Sequence, residues 1–281
     1  MQDSRPKVAV VGHVEWVRFA RVPHVPVAGE VVHASGTFEE PAGGGAVAAV
    51  QLARLAGAAT LVTALGQDDH GRRSRARLHE LAVDVRACLV DSPTRRAVTL
   101  VDDRRERTIT TFGERLDPHG EDESLEWHAL AGTDALYFTA GDERALRAAR
   151  EAARVLVASP RARDALGHGV ALDALVLSAD DAIERGEMDR AREEAELLVL
   201  TEGERGGSYR ARSGESGRWA PVPPPGAPAD TYGCGDSFAA GLTYGLGVGL
   251  ALVDALALAA RCGAVCLTGR GPYERQLTLE R

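Results

Sequence analysis

Seven consecutive residues carry most of the legible chemistry of this chain: Asp230-Thr231-Tyr232-Gly233-Cys234-Gly235-Asp236, followed by the apolar run Ser237-Phe238-Ala239-Ala240-Gly241-Leu242. The order reads as a loop feeding a helix that begins near Asp236. Gly233 and Gly235 let the backbone turn tightly and aim successive N–H groups at one point, and the helix start adds unpaired amides and the positive end of its dipole. Such a turn is an anion hole for a phosphate, or for charge developing on one. Asp236 would stand at its mouth, where a carboxylate takes the proton of an attacking hydroxyl as that hydroxyl bonds to phosphorus. The dipole would keep Asp236 ionised and therefore a weak base, sufficient for late proton transfer in a loose transition state. Taken alone, the heptad also fits a glycine-rich turn capped by an Asp.

Positioning that loop requires a frame, and the flanking pattern supplies one. Residues 8–11 form a buried, parallel-type strand ending at Gly12, and residues 13–40 are broken by Pro23, Pro26 and Gly29. Residues 46–56 have the small, apolar composition of a helix packed closely on a sheet, with Gly43, Gly44 and Gly45 at its start. A strand at 60–65 and a helix at 69–81 follow, the latter with Arg72, Arg73, Arg75 and Arg77 on what reads as a solvated face. Residues 83–90 alternate, and residues 97–111 read as a hairpin turning at Asp102 to Glu106. Beyond residue 135, strands at 135–139, 155–158, 174–177 and 197–200 alternate with helices at 142–153 and just after Ser159-Pro160. This alternation predicts a mostly parallel α/β sheet with helices on both faces and ligands at the carboxyl ends of its strands. Residues 221–228 are a stiff proline-rich connector, and helices at 236–246 and 250–266 close the chain.

The chain has 281 residues, is 44% hydrophobic and carries a net charge of -8, enough apolar residue for a substantial core and the wrong sign for a nucleic-acid footprint. No long apolar stretch suggests a signal peptide or membrane span, and four cysteines without a Cys-x-x-Cys pair fit a reduced, cytoplasmic protein. Cys262 and Cys266 lie one turn apart but lack further ligands for a metal. The one lysine, Lys7, precedes the first strand, which argues against P-loop and protein-kinase architectures, both of which need a lysine on the phosphates.

The heptad resembles the Asp-Thr-x-Gly-Ala-Gly-Asp signature of the ribokinase-like (PfkB) carbohydrate kinases, with Cys234 in place of Ala. Gly43-Gly44-Gly45 resembles the first signature of that family, Gln67-Asp68-Asp69-His70-Gly71 its Gly-x-Asp-x-x-Gly segment, and Thr201-Glu202-Gly203-Glu204-Arg205-Gly206 its Thr-x-Gly-x-x-Gly nucleotide loop. All four occur in family order across nearly the whole chain. The resemblance implies one ribokinase-like domain over residues 1–281, with small β lid segments near 13–40 and 95–112 that exclude water on closure. It also leaves open a homodimer formed through the lid.

The function so implied is transfer of the γ-phosphoryl group of ATP to a hydroxyl of a small sugar. Asp236 would be the base, with the amides of Gly233, Cys234 and Gly235 as the anion hole. Thr201, Gly203, Arg205, Gly206 and Thr231 would meet the nucleotide, and Glu15, Gly44, Gly45 and Asp236 the acceptor. In the family an Asn-x-x-Glu motif organises Mg²⁺; Ser178-Ala179-Asp180-Asp181 keeps the spacing, making Asp181 the metal candidate or else a helix cap. Asp230 corresponds to a residue that in some relatives helps hold a monovalent cation such as K⁺. Arg96, Arg105 and Arg107 all stand where a lid arginine would meet a phosphate. Three departures touch the acceptor: Glu15 replaces an Asp and is offset in register, the glycine signature has no Lys, and Ala48 or Ala49 stands near its Asn. A nucleoside acceptor, or a catalytically silent ligand sensor, is therefore the alternative. Cys234, among helix-start amides, is either a reactive thiol of lowered pKa or a small stand-in for Ala.

Overall fold

The computed structural model describes residues 5–279. In chain order the first strands and helices are β1 (Val8–Val11), β2 (Glu15–Arg21), β3 (Gly36–Ala42), α1 (Gly44–Ala56), β4 (Ala59–Gly66) and α2 (Asp69–Glu80). Next come β5 (Val83–Val90), β6 (Arg96–Val101), β7 (Arg107–Phe112), β8 (Thr133–Phe138), α3 (Glu143–Ala152) and β9 (Ala153–Ala158). The chain finishes with β10 (Ala174–Ser178), α4 (Ala182–Ala191), β11 (Leu197–Thr201), β12 (Gly207–Ala211), β13 (Ser216–Trp219), α5 (Cys234–Gly247) and α6 (Leu252–Cys266).

Nine strands form the main sheet in the order β13-β12-β11-β10-β9-β8-β1-β4-β5. From β11 to β5 every pairing is parallel, and β12 and β13 complete one edge as an antiparallel hairpin. Alternation along β1 explains the two covered faces. Val8 and Val10 point into a core shared with α1, α5 and α6, whereas Ala9 and Val11 point into a second core with Leu136, Phe138 and the α3 residues Leu146 and Ala149. Alanine and glycine on α1 and α5 let those helices sit close. A Cβ on Gly241 would lie 2.8 Å from the Ala259 Cα of α6.

The second sheet, in the order β3-β2-β6-β7, comprises the segments anticipated as a lid. Residues 13–40 are more regular than expected. The proline and glycine breaks fall in the connection between β2 and β3, whose seven-residue antiparallel ladder is continuous. The α2 arginines brace this sheet instead of only facing water: Arg77 forms a paired contact with Glu40, and Arg73 lies over the Trp16 ring at 4.2 Å.

Other boundaries also shift. The main chain passes from α3 directly into β9 at Ala153, and the β12–β13 hairpin, rich in Gly, Ser and Arg, carried no strand pattern. Helix α5 begins at Cys234 instead of Asp236, because Gly233 takes the left-handed conformation, φ 81°, and serves as its N-cap.

Candidate active site

The parallel strands deliver polar residues to one rim, as the topology of an open α/β sheet requires. His13 follows β1, Thr139 follows β8, Ser159-Pro160-Arg161 follows β9, Ser178 ends β10 and Thr201 ends β11. The start of α5 stands at the same rim.

The Ser237 N–H donates to the carbonyl of the N-cap Gly233 at 2.9 Å, so the amides of Cys234, Gly235 and Asp236 belong to the unpaired helix start. The space over Gly235 is open: a Cβ built there meets no atom within 4 Å. Asp236, on the first turn, is pointed at Gly44. A Cβ on Gly44 would lie 3.0 Å from Asp236 Oδ1, 3.3 Å from Thr139 Oγ1 and 3.7 Å from His13 Cε1. Gly44 thus brings the main chain close to a carboxylate, a hydroxyl and an imidazole, leaving little room there for a side chain. Gly45 instead lets α1 dock on the end of β1, since a Cβ there would strike the Gly12 and His13 main chain at 2.7 Å. The Gly43 N–H donates to the Tyr232 hydroxyl, 3.3 Å, tying the glycine signature to the heptad. Ala48 and Ala49 are fully buried in α1.

Burial pushes the Asp236 carboxyl above the ordinary Asp value, opposed by the fields of Arg161 and Arg107. This corrects the sequence expectation of a weak base held ionised by the helix dipole: desolvation dominates, and the carboxylate is a stronger proton acceptor. Glu15 is also pushed up by burial, against the pull of Arg95, whose Nε lies 3.6 Å from Glu15 Oε2. His13 is held neutral, its pKa lowered to about 3 by burial and by Arg115, Arg95 and Arg161. The His13 Nδ1 is buried without a hydrogen-bond partner.

Glu184 and Arg161 were missed by sequence reasoning. Glu184 Oε2 accepts the Ser178 N–H at 2.7 Å, and Glu184 Oε1 lies 2.7 Å from Arg161 Nε. Asp181 caps α4: Oδ1 accepts the Ile183 and Glu184 N–H groups at 2.9 and 3.2 Å, and Oδ2 meets Arg161 at 3.0 Å. Of the two readings of Asp181, its geometry is that of the helix cap. The available signal was position, since Arg161 and Glu184 follow the carboxyl ends of consecutive strands β9 and β10.

Thr201 and its loop adjoin this acidic corner. The Ala179 N–H donates to the Thr201 carbonyl at 2.9 Å, and Arg205 pairs with Asp180 at 3.0 Å in an exposed contact that yields readily to another anion. Gly203 is open, with φ 57°, but the space a Gly206 side chain would need is taken by the Trp219 main chain, so Gly206 serves packing.

Asp230 is buried, its Oδ1 accepting the Tyr232 N–H at 2.8 Å and its Oδ2 the Gly271 N–H at 3.0 Å. Thr231 faces β7 of the second sheet, where Arg107 donates to its carbonyl at 3.3 Å and to its hydroxyl at 3.1 Å. Cys234 departs from the reactive reading: a hydrogen bond with Cys266 and burial push its thiol well above the ordinary value.

The chain is 31% identical to a fructokinase of Klebsiella pneumoniae over 84% of this chain and 90% of that protein. Its fold superposes on a Thermotoga maritima ribokinase with a TM-score of 0.75 at 20% identity, covering 95% of this chain and 94% of the other. A nucleoside kinase of Methanocaldococcus jannaschii gives 0.74 at 15% identity, covering 98% and 96%. The family model for pfkB family carbohydrate kinases matches residues 5–278: the chain belongs to the pfkB family of carbohydrate kinases.

Proposed function

We propose that this enzyme transfers the γ-phosphoryl group of ATP to a hydroxyl of a small sugar held beside Gly44 and Asp236. The observation that carries this reading is the placement of Asp236 Oδ1 against Gly44 of the glycine signature, on the first turn of the helix whose open amides face the same rim. The acceptor oxygen bonds to γ-phosphorus, the bond from γ-phosphorus to the bridging oxygen breaks toward ADP, and the acceptor proton passes to Asp236. The amides of Gly233, Cys234 and Gly235 meet the charge on the phosphoryl oxygens. His13 and Glu15 are suited to acceptor hydroxyls, since a neutral imidazole offers one donor and one acceptor.

The nucleotide would lie along Thr201, Gly203, Arg205 and Thr231, its phosphates toward α5. An oxygen-rich corner fits the Mg²⁺ that accompanies ATP; because the oxygens of Asp181 and Glu184 are engaged by amides and Arg161, they would hold it through its water shell. When bound, Mg²⁺ neutralises phosphate charge. The fructokinase resemblance favours a sugar over a nucleoside as first choice.

The direct test is ADP release from ATP and Mg²⁺ across pentoses, hexoses, sugar phosphates, polyols and nucleosides, with Asp236→Asn in parallel. Turnover with one acceptor, abolished by the substitution, is the expected result. Turnover only with nucleosides would reassign the acceptor, and ATP binding without any transfer would point to a ligand sensor.

A further inference from the structure

A cavity of about 540 Å³ lies behind the heptad, between β2 and β3 of the second sheet, the last turns of α1 and α2, and the turn that follows α6. Its volume falls in the range of small-molecule sites, and its lining combines aromatic rings with guanidinium groups. None of the residues assigned above to the acceptor or the nucleotide lines it. Phe19 of β2 and Phe38 of β3 are cross-strand neighbours whose rings stack, centroids 4.7 Å apart and planes 9° from parallel. Phe38 remains 38% exposed, so apolar ring surface is left for a further partner to cover. The turn after α6 comes in against that ring at Gly271, where a Cβ would lie 2.7 Å from Phe38 Cζ. Phe19 also meets the Tyr232 ring edge-on at 4.9 Å, and the Tyr232 hydroxyl accepts the Gly43 N–H. Phe19 and Tyr232 thus stand between the cavity and the glycine signature.

The charges around the cavity select the sign of its occupant. The guanidinium groups of Arg21, Arg54, Arg77 and Arg270 line it, against the carboxylates of Glu40, Asp230 and Glu274. Arg77 is committed to Glu40 and Arg270 to Glu274, while Asp230 already receives two amides. Arg21 reaches the Ala229 carbonyl at 3.4 Å and lies 3.9 Å from Asp103. Arg54 is exposed on the last turn of α1 and, among the described residues, has no hydrogen bond or ion pair. In a chain of net charge -8, the cavity therefore holds a positive excess beside an incompletely covered aromatic ring.

We propose that this cavity is a second ligand site, separate from the acceptor and nucleotide positions, for a planar aromatic molecule carrying one anionic group. The ring packs against Phe38, and the anion meets the guanidinium groups of Arg54 and Arg21. A cationic ring is repelled by the same arginines, and an anion without a ring leaves Phe38 uncovered, so each satisfies only half of the site.

The test is calorimetric titration of the full chain in excess Mg²⁺ and a non-hydrolysable ATP analogue, so that the nucleotide loop does not contribute to binding. Indole-3-acetate and phenyl phosphate are ring-bearing anions of two kinds. Tryptamine carries the indole ring with the opposite charge, and acetate the charge without the ring. At least one ring-bearing anion should bind saturably at one site per chain, about tenfold or more tighter than tryptamine or acetate, and the tighter of the two identifies carboxylate or phosphate as the anion. Arg54→Gln should weaken that binding about tenfold, and Phe38→Ser about fivefold or more. Arg104→Ala, on the exposed turn between β6 and β7, should leave it unchanged. Because Arg54 is exposed and unpaired, Arg54→Gln should keep the wild-type Tm, and it decides the matter even where Phe38→Ser fails to fold. Absence of saturable binding by both ring-bearing anions would overturn the proposal. So would equal binding of tryptamine or acetate, or an affinity unchanged in Arg54→Gln.

Discussion

Glu184, on the first turn of α4, grips Arg161 beyond the end of β9: Oε1 lies 2.7 Å from Nε, while Oε2 is fixed by the N–H of Ser178 at the end of β10. The pair is held from below by β10 and directs its positive partner toward Asp236, for which Arg161 is the larger of the two opposing fields. Burial raises the Asp236 pKa and Arg161 lowers it, so the protonation of the base is set by a balance between them.

Removing Arg161 should therefore shift the pH profile in a stated direction. The base works deprotonated, so activity falls as pH drops through its pKa. Arg161→Met removes a lowering influence and should move the acid limb of kcat against pH to higher pH, with reduced kcat at neutral pH. A limb that stays in place, or moves to lower pH, would show that Arg161 does not tune the base.

Asp236→Asn separates function from stability. A carboxyl whose folded pKa lies above its unfolded value binds its proton more tightly when folded, so ionisation at neutral pH opposes folding, and this penalty fades as pH falls through the folded pKa. The amide carries no such charge. Asp236→Asn should lower kcat by at least about 10²-fold yet raise Tm at pH 7.5, with the gain over wild type shrinking toward pH 4. A lower Tm at neutral pH would contradict the balance inferred here.

The glycine signatures were legible because each is a local device, in which a turn and the helix after it are written in adjacent residues. Asp236, Gly44 and the parallel frame followed from that. The charge environment was not legible, because it is assembled across the sheet. Arg95, Arg115, Arg161 and Glu184 come from separate crossovers, and nothing near each residue reveals what it meets. His13 was passed over for Glu15, although it is the imidazole that borders Gly44. The β12–β13 hairpin stayed hidden because its exposed face shows no apolar alternation, and the Asp236 pKa was misread because a sequence displays the dipole but not the desolvation.

Gly44 and Gly45 are neighbours with distinguishable roles. Gly44→Ala places a methyl 3.0 Å from Asp236 Oδ1, beside the proposed acceptor position, and should raise the acceptor KM at least tenfold with little change in Tm. Gly45→Ala drives a methyl into main chain at 2.7 Å, where no side chain can move aside, and should cost about 1–3 kcal/mol of stability. Equal losses of Tm in both variants would remove the acceptor assignment for Gly44.

Asp230 tests whether the heptad is held by hydrogen bonds or by a cation. Its two oxygens accept the Tyr232 and Gly271 N–H groups in a buried setting, and Asp230→Ala leaves both amides unpaired at a cost of about 1–3 kcal/mol each. Asp230→Asn retains one acceptor oxygen and should lose roughly half as much. The family resemblance leaves a monovalent cation open at this position, and melting in K⁺ and in tetramethylammonium buffers separates the two roles. Amide anchoring alone predicts the same loss of Tm in both buffers. A wild-type Tm that rises with K⁺, and a variant Tm that does not, would instead show that Asp230 holds a cation beside the phosphate loop.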